Sequence, residues 1–193
     1  MKPCLPAVSA IFVALALYST AQGQSPKDGI YFETATGQTE SDEYTRYELL
    51  APGSNRFKIT YEVTATTAGA KHYYNPIRKG SAATEESVFD AMTGKPLKFE
   101  IVSGADARKD ALMADADLDT NYIKVTLARP VPTNGRGRIV IVKTYEDAKS
   151  YFVDGKTIVF DRPLGVRRNK VVLPAGYEVV GLTVPSQLLT ESD

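Results

Sequence analysis

The stretch "FKITYEVTAT", Phe57 to Thr66, alternates with period two: Phe57, Ile59, Tyr61 and Val63 share one face, and Lys58, Thr60, Glu62 and Thr64 the other. A segment with one apolar and one polar face cannot sit in a helix bundle; it requires a sheet with one side buried and one side wet. The same alternation recurs in "YTRYELL", "KHYYNPIR", "EESVFDAM", "PLKFEIVSG", "NYIKVTLARPV" and "RIVIVKTYED". It returns in "SYFVDGKTIVFDR", "NKVVLP" and "YEVVGLTVP". Turn signals separate these runs. "TGK" and "PTNGRG" join four of them, and Asp154-Gly155 supplies the pair that a type I′ hairpin turn demands. Roughly nine or ten short strands at spacings near a dozen residues predict an all-β fold, an antiparallel β-sandwich. The segment Gly104 to Leu118 is the one helical candidate, read as a short turn of helix or a loop between strands.

Ahead of the strands, Lys2 precedes the apolar run Ala7 to Tyr18, too short for a bilayer span and suited to a signal-peptide core. Ala21 and Gly23 place cleavage before Gln24. The expected organisation is a signal peptide at 1–23, a flexible segment at 24–42 and one sandwich domain at 43–193, in a secreted or periplasmic protein with no membrane insertion after cleavage. Cys4 is the sole cysteine, so cleavage leaves a chain without disulfide, thiolate nucleophile or cysteine metal ligand. Lys plus Arg (23) equal Asp plus Glu (23), which gives no global field for nucleic acid.

One histidine, His72, excludes an H-E-x-x-H or three-histidine zinc site within the chain, and no G-x-S-x-G presents a serine nucleophile. His72 therefore reads as a surface or hydrogen-bonded structural residue. No cofactor is expected. Asp115, Asp117, Asp119 and Asn121 alternate as a weak calcium candidate, but the sixth and twelfth positions of an EF-hand loop fall on Thr120 and Thr126, and a strand begins at Tyr122. A solvated acidic turn is the expectation. Arg162, Arg167 and Arg168, with Lys170, gather in "DRPLGVRRNK" as candidate anion contacts, because guanidinium matches carboxylate or sulfate geometry; a solvated loop with Asp161 as counter-ion is the plainer reading. The 11 tyrosines, with no tryptophan, offer Tyr73, Tyr74, Tyr145 and Tyr151 as a sugar platform, though strand tyrosines are ordinarily half-buried.

The segments "IKVTLARPVPTNGRGRIVIVKTYED" and "VVLPAGYEVVGLTVPSQL" resemble the N-terminal β-sandwich domain of aminopeptidase N-like zinc peptidases and their secreted bacterial relatives. The resemblance rests on strand and turn residues and contains no catalytic motif. It implies a non-catalytic sandwich that shapes or docks to a partner domain, and it carries over no zinc ligand; the expected partner is a protein or a glycan. The alternative is a small hydrolase acting on extracellular glycans through two carboxyls drawn from Glu62, Glu85, Glu86 and Glu100.

Overall fold

A computed structural model describes residues 37–190. The expected signal peptide and most of the 24–42 segment lie outside the described residues, as do residues 191–193. Ten strands and two short helical turns make up the rest, so the all-β expectation holds. The strands are β1 (Glu40–Leu49), β2 (Arg56–Ala65), β3 (His72–Pro76), β4 (Ala82–Asp90), β5 (Phe99–Ser103), β6 (Asn121–Thr126), β7 (Gly137–Glu146), β8 (Tyr151–Asp154), β9 (Thr157–Phe160) and β10 (Arg168–Val172). A five-stranded sheet in the order β10-β1-β2-β7-β4 shares its core with a three-stranded sheet, β3-β6-β5, and β8 pairs with β9 as a hairpin.

Alternation sets which side chains enter that core. On β2, Phe57, Ile59, Tyr61 and Val63 are buried as their spacing predicts, and register places Tyr145, Lys143, Ile141 and Ile139 of β7 beside them. From the smaller sheet Tyr73, Ile123 and Val125 close the sandwich. The aromatic end of the core is held by edge contacts: Phe57 meets Tyr145 at 6.0 Å and Phe160 at 5.3 Å between ring centroids. Gly155 at φ +59° makes the β8–β9 turn expected from Asp154-Gly155. The hairpin is anchored by Tyr151, whose hydroxyl donates to the Leu50 carbonyl at 2.8 Å.

Four features differ from the sequence reading. β10 lies parallel to β1, so the larger sheet is mixed rather than purely antiparallel; alternation determines which face a residue occupies and is silent on strand direction. "TGK" makes the tight turn expected of it, with Pro96 bridging back to Phe89 of β4, but the chain then crosses to the other sheet, as it also does at "PTNGRG", so β4 and β5, like β6 and β7, are not neighbours in a sheet. "YEVVGLTVP" is not a strand, and Val180 is 85% exposed; β-propensity without a sheet edge to pair with does not make a ladder. The sheet also starts before residue 43. β1 begins at Glu40, and the Gln38 amide exchanges two hydrogen bonds with the Tyr74 backbone, at 2.7 and 2.9 Å. Gly104–Ala107 and Ala111–Met113 are the short helical turns expected between strands, and no helix among the described residues is long and apolar enough to cross a membrane.

Candidate functional site

A cleft of about 390 Å³ opens between the inner faces of the two sheets and the chain that follows β9. Its chemistry begins with two violations of the alternation rule. Lys143 stands at an inward position of β7, between Ile141 and Tyr145, where an apolar residue would continue the pattern. It is 4% exposed. Its Nζ donates to Asn75 Oδ1 at 2.6 Å and lies 5.0 Å from the centre of the Tyr145 ring. Desolvation, with the repulsion of Arg162 added, pushes its pKa down to about 7 against a small opposing pull from Glu86. A bulge in β4 accounts for Glu86: register pairs Thr84 with Thr144 and Ser87 with Val142, so Glu85 and Glu86 together oppose the single Lys143. Glu85 turns to Thr144 and Arg56.

Arg162 is the second cation. Period two continues from Ile158 and Phe160 of β9 to Arg162 beyond the strand's end, and this carries the guanidinium onto the aromatic end of the core. Its Cζ lies 5.1, 5.4 and 5.6 Å from the ring centres of Phe57, Tyr47 and Tyr145. Nε and Nη1 are buried without a hydrogen-bond partner. Burial lowers the Arg162 pKa, offset in part by the tyrosines and Asp147, and Arg78, which also lines the cleft, adds to the lowering. No carboxylate among the described residues forms an ion pair with Lys143, Arg162 or Arg78.

A second group of polar residues lines the same cleft one step along the sheet, where Thr45 pairs with Tyr61 and Tyr61 with Ile141. Tyr61 donates to Glu43 Oε1 at 2.7 Å, Tyr73 donates to Glu40, and the two hydroxyls lie 3.5 Å apart. Glu40 and Glu43 are three apart and would point to opposite faces of a regular strand. The bulge between Ser41 and Tyr44, with Asp42 at φ +53°, lets both reach the cleft. Although Glu40 as a residue is exposed, its carboxyl end is desolvated against Tyr73, and this raises its pKa. Burial likewise pushes the Tyr73 and Tyr61 hydroxyls far above the ordinary range, so both remain donors.

The structure separates the residues that the sequence grouped. Of the three candidate anion contacts only Arg162 enters the cleft; Arg167 and Arg168 are exposed, and Arg168 Nε donates to the Glu43 carbonyl at 3.2 Å. At the acidic loop, Lys79 Nζ meets Asp117 at 2.8 Å and Asp119 at 3.9 Å, holding the Asp117 carboxyl below its usual range. Asp115 is exposed, Asn121 opens β6, and no group of three or more histidine, cysteine, aspartate or glutamate side chains is poised for a metal among the described residues. His72 Nδ1 lies 3.4 Å from Asp110 Oδ2, which also accepts from the Tyr74 hydroxyl at 2.9 Å. The tyrosines proposed as a sugar platform are buried: Tyr73, Tyr74, Tyr145 and Tyr151 all lie at 2% exposure or less, which leaves no flat face for stacking. The carboxyls of the hydrolase alternative are not gathered either. Glu62 faces Arg138 at 3.6 Å, Glu85 faces Arg56 at 3.1 Å, Glu100 pairs with Lys124 at 2.8 Å on the other sheet, and Glu86 stands by Lys143.

No family model matches the chain, and no curated protein matches it. Among solved structures it is similar to a two-domain M1 zinc metallopeptidase mutant bound to L-tryptophan, at 12% identity and a TM-score of 0.37, over 57% of this chain and 21% of the other. It is similar in the same degree to an M1 zinc metallopeptidase mutant from Deinococcus radiodurans, at 12% identity and a TM-score of 0.37, over 56% of this chain and 20% of that one. The chain thus spans about a fifth of the length of these peptidases.

Proposed function

We propose that this chain is an exported, non-catalytic β-sandwich module that binds an anionic ligand in the cleft between its sheets. The observation that carries this reading is the group of Lys143, Arg162 and Arg78, three cations lining one cleft without a carboxylate partner, with two guanidinium nitrogens of Arg162 unsatisfied. Lys143 and Arg162 are desolvated without an ion-pair partner while Arg78 adds exposed positive charge, and an anion that binds only the folded state would offset the cost of the two buried groups. The resemblance of the strand segments to a peptidase N-terminal sandwich supports an accessory role beside a partner. Thermal melting in acetate, succinate, sulfate and phosphate at fixed ionic strength tests the site. At about 100 times Kd a bound anion should add roughly 2.7 kcal/mol, and the gain should vanish in Arg162→Gln. A non-saturating salt effect shared by both proteins would refute it. Export is tested by the intact mass of the fractionated protein, with a mature start at Gln24 expected and a membrane-bound species retaining Met1 as the contrary result.

One observation favours the hydrolase alternative: Glu40 and Glu43 share a cleft, and the Glu40 pKa is raised. Both carboxyls are held by tyrosine hydroxyls, which favours binding. Turnover of a soluble glycan that is lost in Glu40→Gln would reverse that preference.

A further inference from the structure

We infer that Lys143 forms a reversible imine with a ligand that carries a carbonyl next to a carboxylate, a 2-oxo acid, with Arg162 receiving the carboxylate. The inference rests on the anion-binding reading above and adds to it the chemical class of the ligand.

Imine formation needs a neutral primary amine, room for a carbonyl carbon, and a means of holding that carbon near the nitrogen. Lys143 lines the cleft with a single hydrogen-bond partner, the amide oxygen of Asn75 at 2.6 Å. That contact uses one N–H and leaves the nitrogen lone pair of the neutral amine uncommitted. The groups around it disfavour the ammonium form. Burial and the Arg162 guanidinium, from the chain after β9, act against it, and they outweigh the Tyr145 ring of β7, the Asn75 amide oxygen of β3 and Glu86 at the β4 bulge, which favour it. A desolvated lysine beside a fixed cation is the arrangement that produces a nucleophilic amine near neutral pH. The pKa lowered to about 7 agrees, since an ordinary lysine is almost wholly protonated at that pH.

Arg162 supplies the hold. Its guanidinium carbon, at 5.6 Å, and Lys143 Nζ, at 5.0 Å, both stand by the Tyr145 ring, and both side chains line the same cleft. The rings of Tyr47, Phe57 and Tyr145 pack around the guanidinium, Nε and Nη1 are shut off from solvent without a partner, and a carboxylate would meet the guanidinium from the cleft that Arg162 lines. The reaction balances without an added reagent. The Nζ lone pair attacks the carbonyl carbon, a proton moves from nitrogen to the carbonyl oxygen to give a carbinolamine, and loss of water leaves the C=N bond; hydration reverses it. The amine and the oxo acid go in, and the imine and one water come out, with no change of oxidation state.

The test uses the folded protein with glyoxylate or pyruvate and sodium cyanoborohydride, followed by peptide mapping. Lys143 should be labelled at least about tenfold faster than exposed lysines such as Lys58 and Lys156. The simple aldehyde propanal, which lacks the carboxylate, should show no such preference, and Arg162→Gln should remove it. Lys143→Arg should lose the label while acetate still raises its melting temperature. Labelling that follows surface exposure and spares Lys143 overturns the imine. If acetate and succinate nevertheless stabilise the wild-type protein, the anion site stands without it; if they do not, the binding reading fails on its own account.

Discussion

Replacing Arg162 by methionine should stabilise the ligand-free protein. The side chain holds two buried nitrogens without partners, and each such group costs about 1–3 kcal/mol. Against this stands the cation–π attraction of the one guanidinium to the surrounding rings of Tyr47, Phe57 and Tyr145, about 2 kcal/mol for a desolvated cation. Methionine keeps the apolar packing and adds a sulfur–aromatic contact in place of the guanidinium. The substitution also removes the charge that repels Lys143. Taking the middle of the first range for both nitrogens, about 4 kcal/mol of cost against about 2 kcal/mol of gain, the variant should be more stable by about 2 kcal/mol. That lies within the range seen when buried ionic groups give way to apolar ones, and it corresponds to a rise in Tm of about 4–8 °C for a domain of this size. Differential scanning calorimetry in a buffer free of small carboxylates and phosphate reads the difference. A fall in Tm would show that the guanidinium is a structural keystone, and the argument from uncompensated charge would then fail.

Asp147→Ala should destabilise by about 2–4 kcal/mol, measured by urea unfolding, because the buried carboxylate accepts from the Ser81 and Ser150 hydroxyls and from the backbone N–H groups of Lys149 and Ser150, of which only the Ser150 N–H keeps another partner, the Asp147 carbonyl. Burial alone would raise its pKa, and those hydrogen bonds lower it overall; the stability it contributes is therefore present above about pH 4 and is lost as pH falls through the lower folded value. Lys143 behaves oppositely. Its folded pKa of about 7 lies below the unfolded value of about 10.4, so the unfolded chain binds the extra proton, stability rises from pH 7 towards 10, and Lys143→Met should flatten that rise in melting curves taken across the range. Gly104→Ala should cost several kcal/mol by thermal unfolding, since an added Cβ would sit 2.0 Å from the Asp117 carbonyl oxygen and 2.8 Å from the Leu118 Cα, both backbone atoms that cannot swing aside.

The strands were legible because burial of one face imposes period two on the sequence, and that signal is local. Phe57, Ile59, Tyr61 and Val63 needed only each other to declare an inner face. Strand direction and sheet membership are set by where loops cross the sandwich, which is why β10 parallel to β1, and the passage from β4 to β5 between sheets, had no counterpart in the pattern. The valines of "YEVVGLTVP" show the converse, since local propensity was present and a partner strand was not.

Half of the site was written in the same code as the core. Extending the alternation through "RIVIVKTYE" puts Lys143 on the inner face, and extending it through "TIVFDR" puts Arg162 there, so a lysine or arginine in phase with buried residues was the available signal. Grouping Arg162 with Arg167 and Arg168 by proximity in sequence obscured it, because Arg162 directly extends the alternation of β9 while Arg167 and Arg168 lie past the loop at the start of β10. Glu40 and Glu43 were out of reach by any periodic argument. Their separation of three assigns them to opposite sides, and only the bulge at Asp42, a non-glycine residue at positive φ, brings both into the cleft. Bulges re-aim side chains at the cost of regular pairing, and both of those in the larger sheet, at Asp42 and at Glu85, stand where carboxylates are brought towards the cleft cations and tyrosines. The irregularities of this sheet thus coincide with its polar interior, as expected if the cleft rather than the sandwich is what the sequence maintains there.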